Sequence, residues 1–118
     1  MKDNDRLVYM HTDGCIYEII EDLKECGVDM LNPQYRANGL DNLERICKGK
    51  IPINLDLDRQ LFPLCTPAEA RGHVEECVKR MYLPEGGLGI SIEIGQDYPL
   101  ENIDAIFGAA NEMRFYKG

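Results

Sequence analysis

Leu7-Val8-Tyr9-Met10-His11-Thr12-Asp13-Gly14 decides how this chain is read. Four largely apolar residues run into His11, Asp13 and a glycine, and an amphipathic segment follows. A short apolar run closed by a turn signal suits a strand covered on both faces. In α/β sheets ligands gather where strands end and helices begin, which is where His11 and Asp13 stand. Three later segments end in the same way, so the functional question is whether the four ends meet.

Working outward, the spacing predicts a helix over about Cys15 to Cys26. Ile16, Ile19, Ile20 and Leu23 share one face, and Gly27 stops it. Val28–Leu31 reads as the second strand, leaving through Asn32-Pro33-Gln34, where Pro33 has no N–H for a ladder. A helix from about Leu40 to Lys48 follows and Gly49 ends it. Ile51–Asp56 is the third strand, and the apolar and charged loop Leu57–Phe62 comes after it. Thr66-Pro67-Ala68-Glu69 combines a hydroxyl cap, a first-turn proline and a glutamate three residues on, the signature of a helix start. Ala70, Val74, Cys77, Val78 and Met81 then share a face. The glycines of Pro84–Gly89 precede a strand, whereas a phosphate cradle must follow one and open a helix. The fourth strand is expected over Ile90–Ile94, and the last helix carries Leu100, Ile103, Ile106, Phe107 and Ala110 inward.

Four strand-helix units in strict alternation predict an α/β fold with a parallel sheet and right-handed crossovers. The pattern admits an open sheet with helices on both faces, or half of an eight-stranded (β/α)₈ TIM barrel. At 118 residues the chain suits one domain over 1–118, well short of the roughly 250 residues of a full barrel.

Charge and composition narrow the partners. Thirteen lysines and arginines against 21 acids leave a net charge of −8, which repels phosphate backbones and argues against nucleic acid. No apolar run approaches the roughly 20 residues that cross a bilayer. The charged start, Met1 to Arg6, lacks the apolar core of a signal peptide, which points to the cytoplasm. Five cysteines without a Cys-x-x-Cys pair, four of them on or beside predicted helices, favour reduced thiols in that compartment.

His11-Thr12-Asp13-Gly14, Gly39-Leu40-Asp41, Asn54-Leu55-Asp56 with Asp58-Arg59-Gln60, Thr66-Pro67-Ala68-Glu69, Gly86-Gly87-Leu88 and Pro99-Leu100-Glu101-Asn102-Ile103 occur in this order. As a set they resemble the uroporphyrinogen decarboxylase superfamily, which also contains cobalamin-dependent methyltransferases. The resemblance covers nearly the whole chain. It implies a (β/α)₈ barrel of which this chain is similar to the C-terminal half, strands five to eight. In the decarboxylases the other half supplies the acid that engages pyrrole nitrogens and the arginines that hold substrate carboxylates. The methyltransferases bind zinc through a His-x-Cys pair after the fifth strand and a cysteine after the eighth. At the matching places this chain has His11, Asp13 and, near the last, Glu93. The resemblance therefore implies a divalent metal such as zinc on harder ligands.

Residue by residue, His11, Asp13 and Glu93 are the candidate catalytic and metal-binding groups. Asn32, Asp56, Asp58 and Arg59 are the candidate substrate contacts. Arg59 is placed either as an anion anchor or paired with Asp58 or Asp56. Glu93, inside an apolar strand, needs a partner, a proton or the watery end of the sheet. Asp13 as a helix cap and His11 bonded locally is the plain alternative. Tyr9, Tyr35 and Tyr98 are placed near the same mouth, and His73 on a solvated helix face. Two exposed parallel edges predict a homo-oligomer, or pairing with a separate N-terminal half-barrel. The competing expectation is a catalytically inactive truncated or split fragment that binds a small molecule or a corrinoid protein.

Overall fold

The computed structural model describes residues 6–117; the charged start read above as no signal peptide lies, up to Asp5, outside them. Four short strands, β1 (Tyr9–His11), β2 (Met30–Asn32), β3 (Ile53–Asp56) and β4 (Leu88–Ser91), form one parallel sheet in the order β1-β2-β3-β4. A 3-10 turn over Tyr17–Ile19 leads into helix α1 (Ile20–Glu25). Helices α2 (Tyr35–Asn38), α3 (Leu40–Cys47), α4 (Pro67–Met81) and α5 (Leu100–Met113) follow. The α/β class and the parallel sheet expected from the alternation are therefore present.

A sequential strand order with right-handed crossovers sends every connection over the same face. The contacts agree, because α1 touches α3, α3 touches α4, and α4 packs on α5 as one layer. Strand burial shows which face they cover. Ile53 and Leu55 are fully buried beneath the helices with Leu31, Phe62, Val74 and Ile106, while Asn54 and Asp56 point the other way and keep access to solvent. The expectation that β1 is covered on both faces is thereby corrected, since Tyr9 and His11 are exposed. The opposite face of the sheet carries polar side chains in register. His11 lies beside Asn32, and Asn54 beside Gly89. One step on, Gln34 lies beside Asp56, which lies beside Ser91.

Local chemistry explains most of the element boundaries. Thr66 Oγ1 accepts the Glu69 N–H at 3.2 Å, and Glu69 Oε1 accepts the Thr66 N–H at 2.9 Å. That reciprocal cap, with Pro67 at the first position, starts α4 where the sequence placed it and contributes about 1 kcal/mol. The first helix is shorter than expected. Asn38 Oδ1 takes the Ile16 N–H at 2.8 Å, so the chain after Cys15 is held by a side chain from α2 before regular helix begins. Strand β2 starts later than predicted and includes Asn32. Strand β4 starts and ends earlier than Ile90–Ile94, because Ile53 pairs with Leu88 and the ladder stops at Asp56 beside Ser91. Gly89 permits this register. A Cβ there would stand 3.1 Å from Asn54 Oδ1, so the absent side chain lets Asn54 lie across the strand.

Two helix faces also differ from expectation. His73 is buried, 7% exposed, because it falls within the stripe Ala70, Val74, Cys77, Val78, three after the first and four before the third. On α5, Ile106 and Ala109 face inward with Asn102, whose Nδ2 donates to the Phe62 and Cys65 carbonyls at 2.7 and 2.8 Å. Leu100 and Phe107, placed inward from the sequence, are 78% and 48% exposed. The amide of Asn102 ties α5 to the loop before α4, and that rotation turns the other two outward. All five cysteines are free thiols. No helix among the described residues is long and apolar enough to cross a membrane.

Candidate functional site at the carboxyl ends of the strands

The ends of β1, β2 and β3 converge through one amide. Asn32, 8% exposed and at the end of β2, donates from Nδ2 to the Asn54 carbonyl at 2.6 Å and to Asp56 Oδ1 at 3.2 Å. Those two acceptors fix the flip of the amide, so Oδ1 must face β1. There it lies 2.6 Å from His11 Nδ1, which is therefore the donor. The second nitrogen, Nε2, lies 3.0 Å from Asp13 Oδ1, another acceptor. With an oxygen against each nitrogen, only the imidazolium satisfies both contacts. The hydrogen bond to Asn32, helped by the charges of Asp13 and Asp56, accordingly raises His11 above its ordinary 6.5.

Asp13 collects further donors. Gln34 Nε2 reaches Oδ1 at 2.9 Å, and Arg59 Nη2 stands 4.0 Å from the same oxygen. The Arg59 guanidinium also donates through Nη1 to Glu93 Oε2. Arg59 therefore bridges the ends of β1 and β4 rather than pairing with Asp58 or Asp56. Glu93 is not inside a strand: it lies two residues beyond β4 and is exposed, with Arg59 as its partner. A carboxylate there keeps its water and needs no burial compensation.

Asp58, also proposed as a substrate contact, turns away from this group. Its carboxylate receives a two-pronged bond from Arg36, 2.8 Å from Nε and 2.6 Å from Nη2, and accepts the N–H groups of Gln60 and Leu61 at 3.1 and 3.3 Å. Burial alone would raise this carboxyl, but the Arg36 fork and the two backbone donors outweigh it and hold it below the usual carboxylate range. Asp58 thus shapes the β3–α4 loop that carries Arg59. Behind it, His73 Nε2 accepts the Asp58 N–H at 3.1 Å. Burial pushes the His73 imidazole below 6.5, so it is neutral with its proton on Nδ1.

His73 and Cys77 lie one turn apart on α4, with Sγ 3.8 Å from Nε2. They are not an activated pair, because burial pushes the Cys77 thiol up to about 12 and the ring nitrogen is taken by Asp58. Tyr35 and Phe62 enclose the same ring edge-on. Of the tyrosines placed at the mouth, Tyr9 does lie on the open face, accepting from Asn54 Nδ2 at 3.3 Å. Tyr98 is buried beneath it, donating to the Arg59 carbonyl at 3.2 Å.

His11, Asp13 and Glu93 do not close around a cation. Among the described residues no three His, Cys, Asp or Glu side chains form a metal-holding group. The guanidinium of Arg59 occupies the space between the two carboxylates, and both His11 nitrogens already face oxygens. The donor set does not fit a resident zinc ion, and no step below uses one. Sequence reading missed Arg36, whose only trace is its place one turn after the strand end, and it had no reason to single out Asn32 as the hub. The arrangement can hold a proton at His11 and present Arg59 to an anion. Comparison with protein-family models, with curated proteins and with solved structures finds no match to this chain.

Proposed function

We propose that the carboxyl-terminal rim of the sheet is a ligand site at which His11 holds and transfers a proton, in a half-barrel similar to the uroporphyrinogen decarboxylase and cobalamin methyltransferase superfamily. The observation that carries this reading is the chain His11, Asn32, Asp56, which crosses three strands on a sheet face that no helix covers. A parallel sheet ordinarily has helices on both faces, and polar residues in register on the bare face fit the interior of a barrel better than a solvated surface. Sequential strand order and a single helical layer support the half-barrel for the same reason.

The roles follow from position. Asp56, through Asn32, orients the imidazole and stabilises its charged form. Nε2–H, now shared with Asp13, is the proton that a ligand meets on approaching from solvent. Arg59 anchors an acidic group of that ligand once Glu93 or Asp13 gives way. Asp58 and Arg36 are positioning residues for the loop.

Proton NMR titration of the His11 ring tests the proton-holding role. A midpoint above 6.5 that falls in Asn32→Ala is expected; a midpoint at or below 6.5 in the unaltered chain overturns it. Citrate, a small polycarboxylate, serves as the probe of the anion anchor. It is expected to shift the His11 resonances and to lose that effect in Arg59→Ala. An unchanged response in Arg59→Ala removes Arg59 from the site.

A further inference from the structure

Resting on that reading of the open face, we infer that a second copy of this chain completes the barrel. β4 of one protomer continues in parallel into β1 of its partner, and the partner's own last strand returns to β1 of the first. The two copies then form one eight-stranded ring, and both His11 clusters line a shared mouth.

Backbone geometry supplies the first support. Val8 spends its carbonyl on the N–H groups of Asp29 and Met30, so the alternation of a parallel strand turns the backbone groups of Tyr9 and His11 toward the free edge. At the other end, Gly87 and Ser91 give their carbonyls to Ile53 and Leu57, which turns Leu88 and Ile90 outward. Each protomer therefore carries one donor-acceptor row of each kind, in the same strand sense. An edge of this type invites pairing. A head-to-tail contact that closes after one repeat gives a two-fold dimer with no edge left over, and eight strands is a number whose interior side chains just fill.

The distribution of exposed apolar side chains points to the same two surfaces. Leu7, Tyr9 and Ile19 flank β1, and Leu100, Phe107 and Phe115 flank β4, whereas the two middle units contribute only Leu64. Leu100 and Phe107 stand two turns apart on one stripe of α5, facing away from α4. Beside them an apolar groove of about 400 Å³, lined by Leu88, Ile90, Ala110 and Met113 among others, opens along the β4 edge. The occupant is already on the chain, since Leu7 and Tyr9 project at the opposite edge. Charge agrees as well. α1 and α5 both run back against the strands, so the ring brings their last turns to one rim, where Asp22 and Glu25 meet Arg114 and Lys117.

Sedimentation velocity with light scattering on the full chain tests the ring. The expected mass is twice 13.4 kDa. Phe107→Glu, on an exposed side chain, is expected to weaken association at least about tenfold while leaving the far-ultraviolet circular dichroism unchanged; Leu7→Lys does the same from the other edge. A wild-type monomer at a concentration of about 100 µM overturns the inference. A dimer indifferent to both substitutions overturns it too, as does growth into polymers, which means the contact does not close. The His11 titration in the same samples keeps the two readings apart. An unperturbed imidazole in an intact dimer refutes the site alone, and a monomer whose His11 midpoint stays raised refutes the ring alone.

Discussion

The two histidines of this chain occupy opposite sides of the same sheet and are driven in opposite directions. His11, on the bare face, has an oxygen acceptor at each nitrogen, and the bond to Asn32 raises its affinity for a proton. His73, among the helices, is walled in by Tyr35 and Phe62, and burial lowers its affinity. One side chain type thus serves as a proton holder where acceptors and water surround it, and as a neutral acceptor for a backbone N–H where neither is near. Residue identity alone does not distinguish a site from a core; the partners of each nitrogen do.

The largest test of this contrast is on stability. His73→Ala removes a buried ring and leaves the Asp58 N–H without an acceptor, and is expected to cost about 3 kcal/mol, read from urea unfolding. A loss below about 1 kcal/mol would mean that His73 is not part of the core. Next in size, Arg36→Met strands the buried Asp58 carboxylate. The penalty is expected at about 1–3 kcal/mol, less than for a fully buried pair because Arg36 is half exposed.

The pH dependence sharpens the comparison through its sign. His73 is depressed, so its stabilising contribution is whole above its ordinary 6.5 and is lost as pH falls through the lower folded midpoint. Unfolding midpoints measured from pH 7.5 downward are expected to drop in that window, and to drop less in His73→Leu, which has nothing to protonate there. His11 has the opposite sign. Its contribution is present below 6.5 and fades as pH rises through the raised midpoint. The smallest effect belongs to His11→Gln, expected to change stability by less than about 0.5 kcal/mol while abolishing any response to citrate. A large loss of stability in that variant would make His11 structural and collapse the contrast.

Several features were legible because they depend on neighbours in sequence. Thr66, Pro67 and Glu69 form their cap with no help from the rest of the chain, and the strand-helix alternation fixed the parallel sheet. His73 was legible too, had its three and four residue spacing to Ala70 and Cys77 been weighed above its polarity. Glu93 was misplaced for a different reason. The apolar alternation of Ile90 to Ile94 is a good strand pattern, but the register is set by pairing with Ile53 and by the passage of Asn54 over Gly89, neither of which is local. Arg59 was assigned to the nearest acids along the chain. Its actual partners are 34 and 46 residues away, because Arg36 had already claimed Asp58.

The sequence by itself determined the order of elements, the start of α4, the class of sheet and the gathering of polar residues at strand ends, since periodicity and capping act over a few residues. Only the tertiary structure decided which face of the sheet stays bare, that Asn32 joins His11 to Asp56, and that a guanidinium lies between Asp13 and Glu93. Those outcomes depend on strand register and on competition among distant charges for the same partners, and no short stretch of chain encodes either.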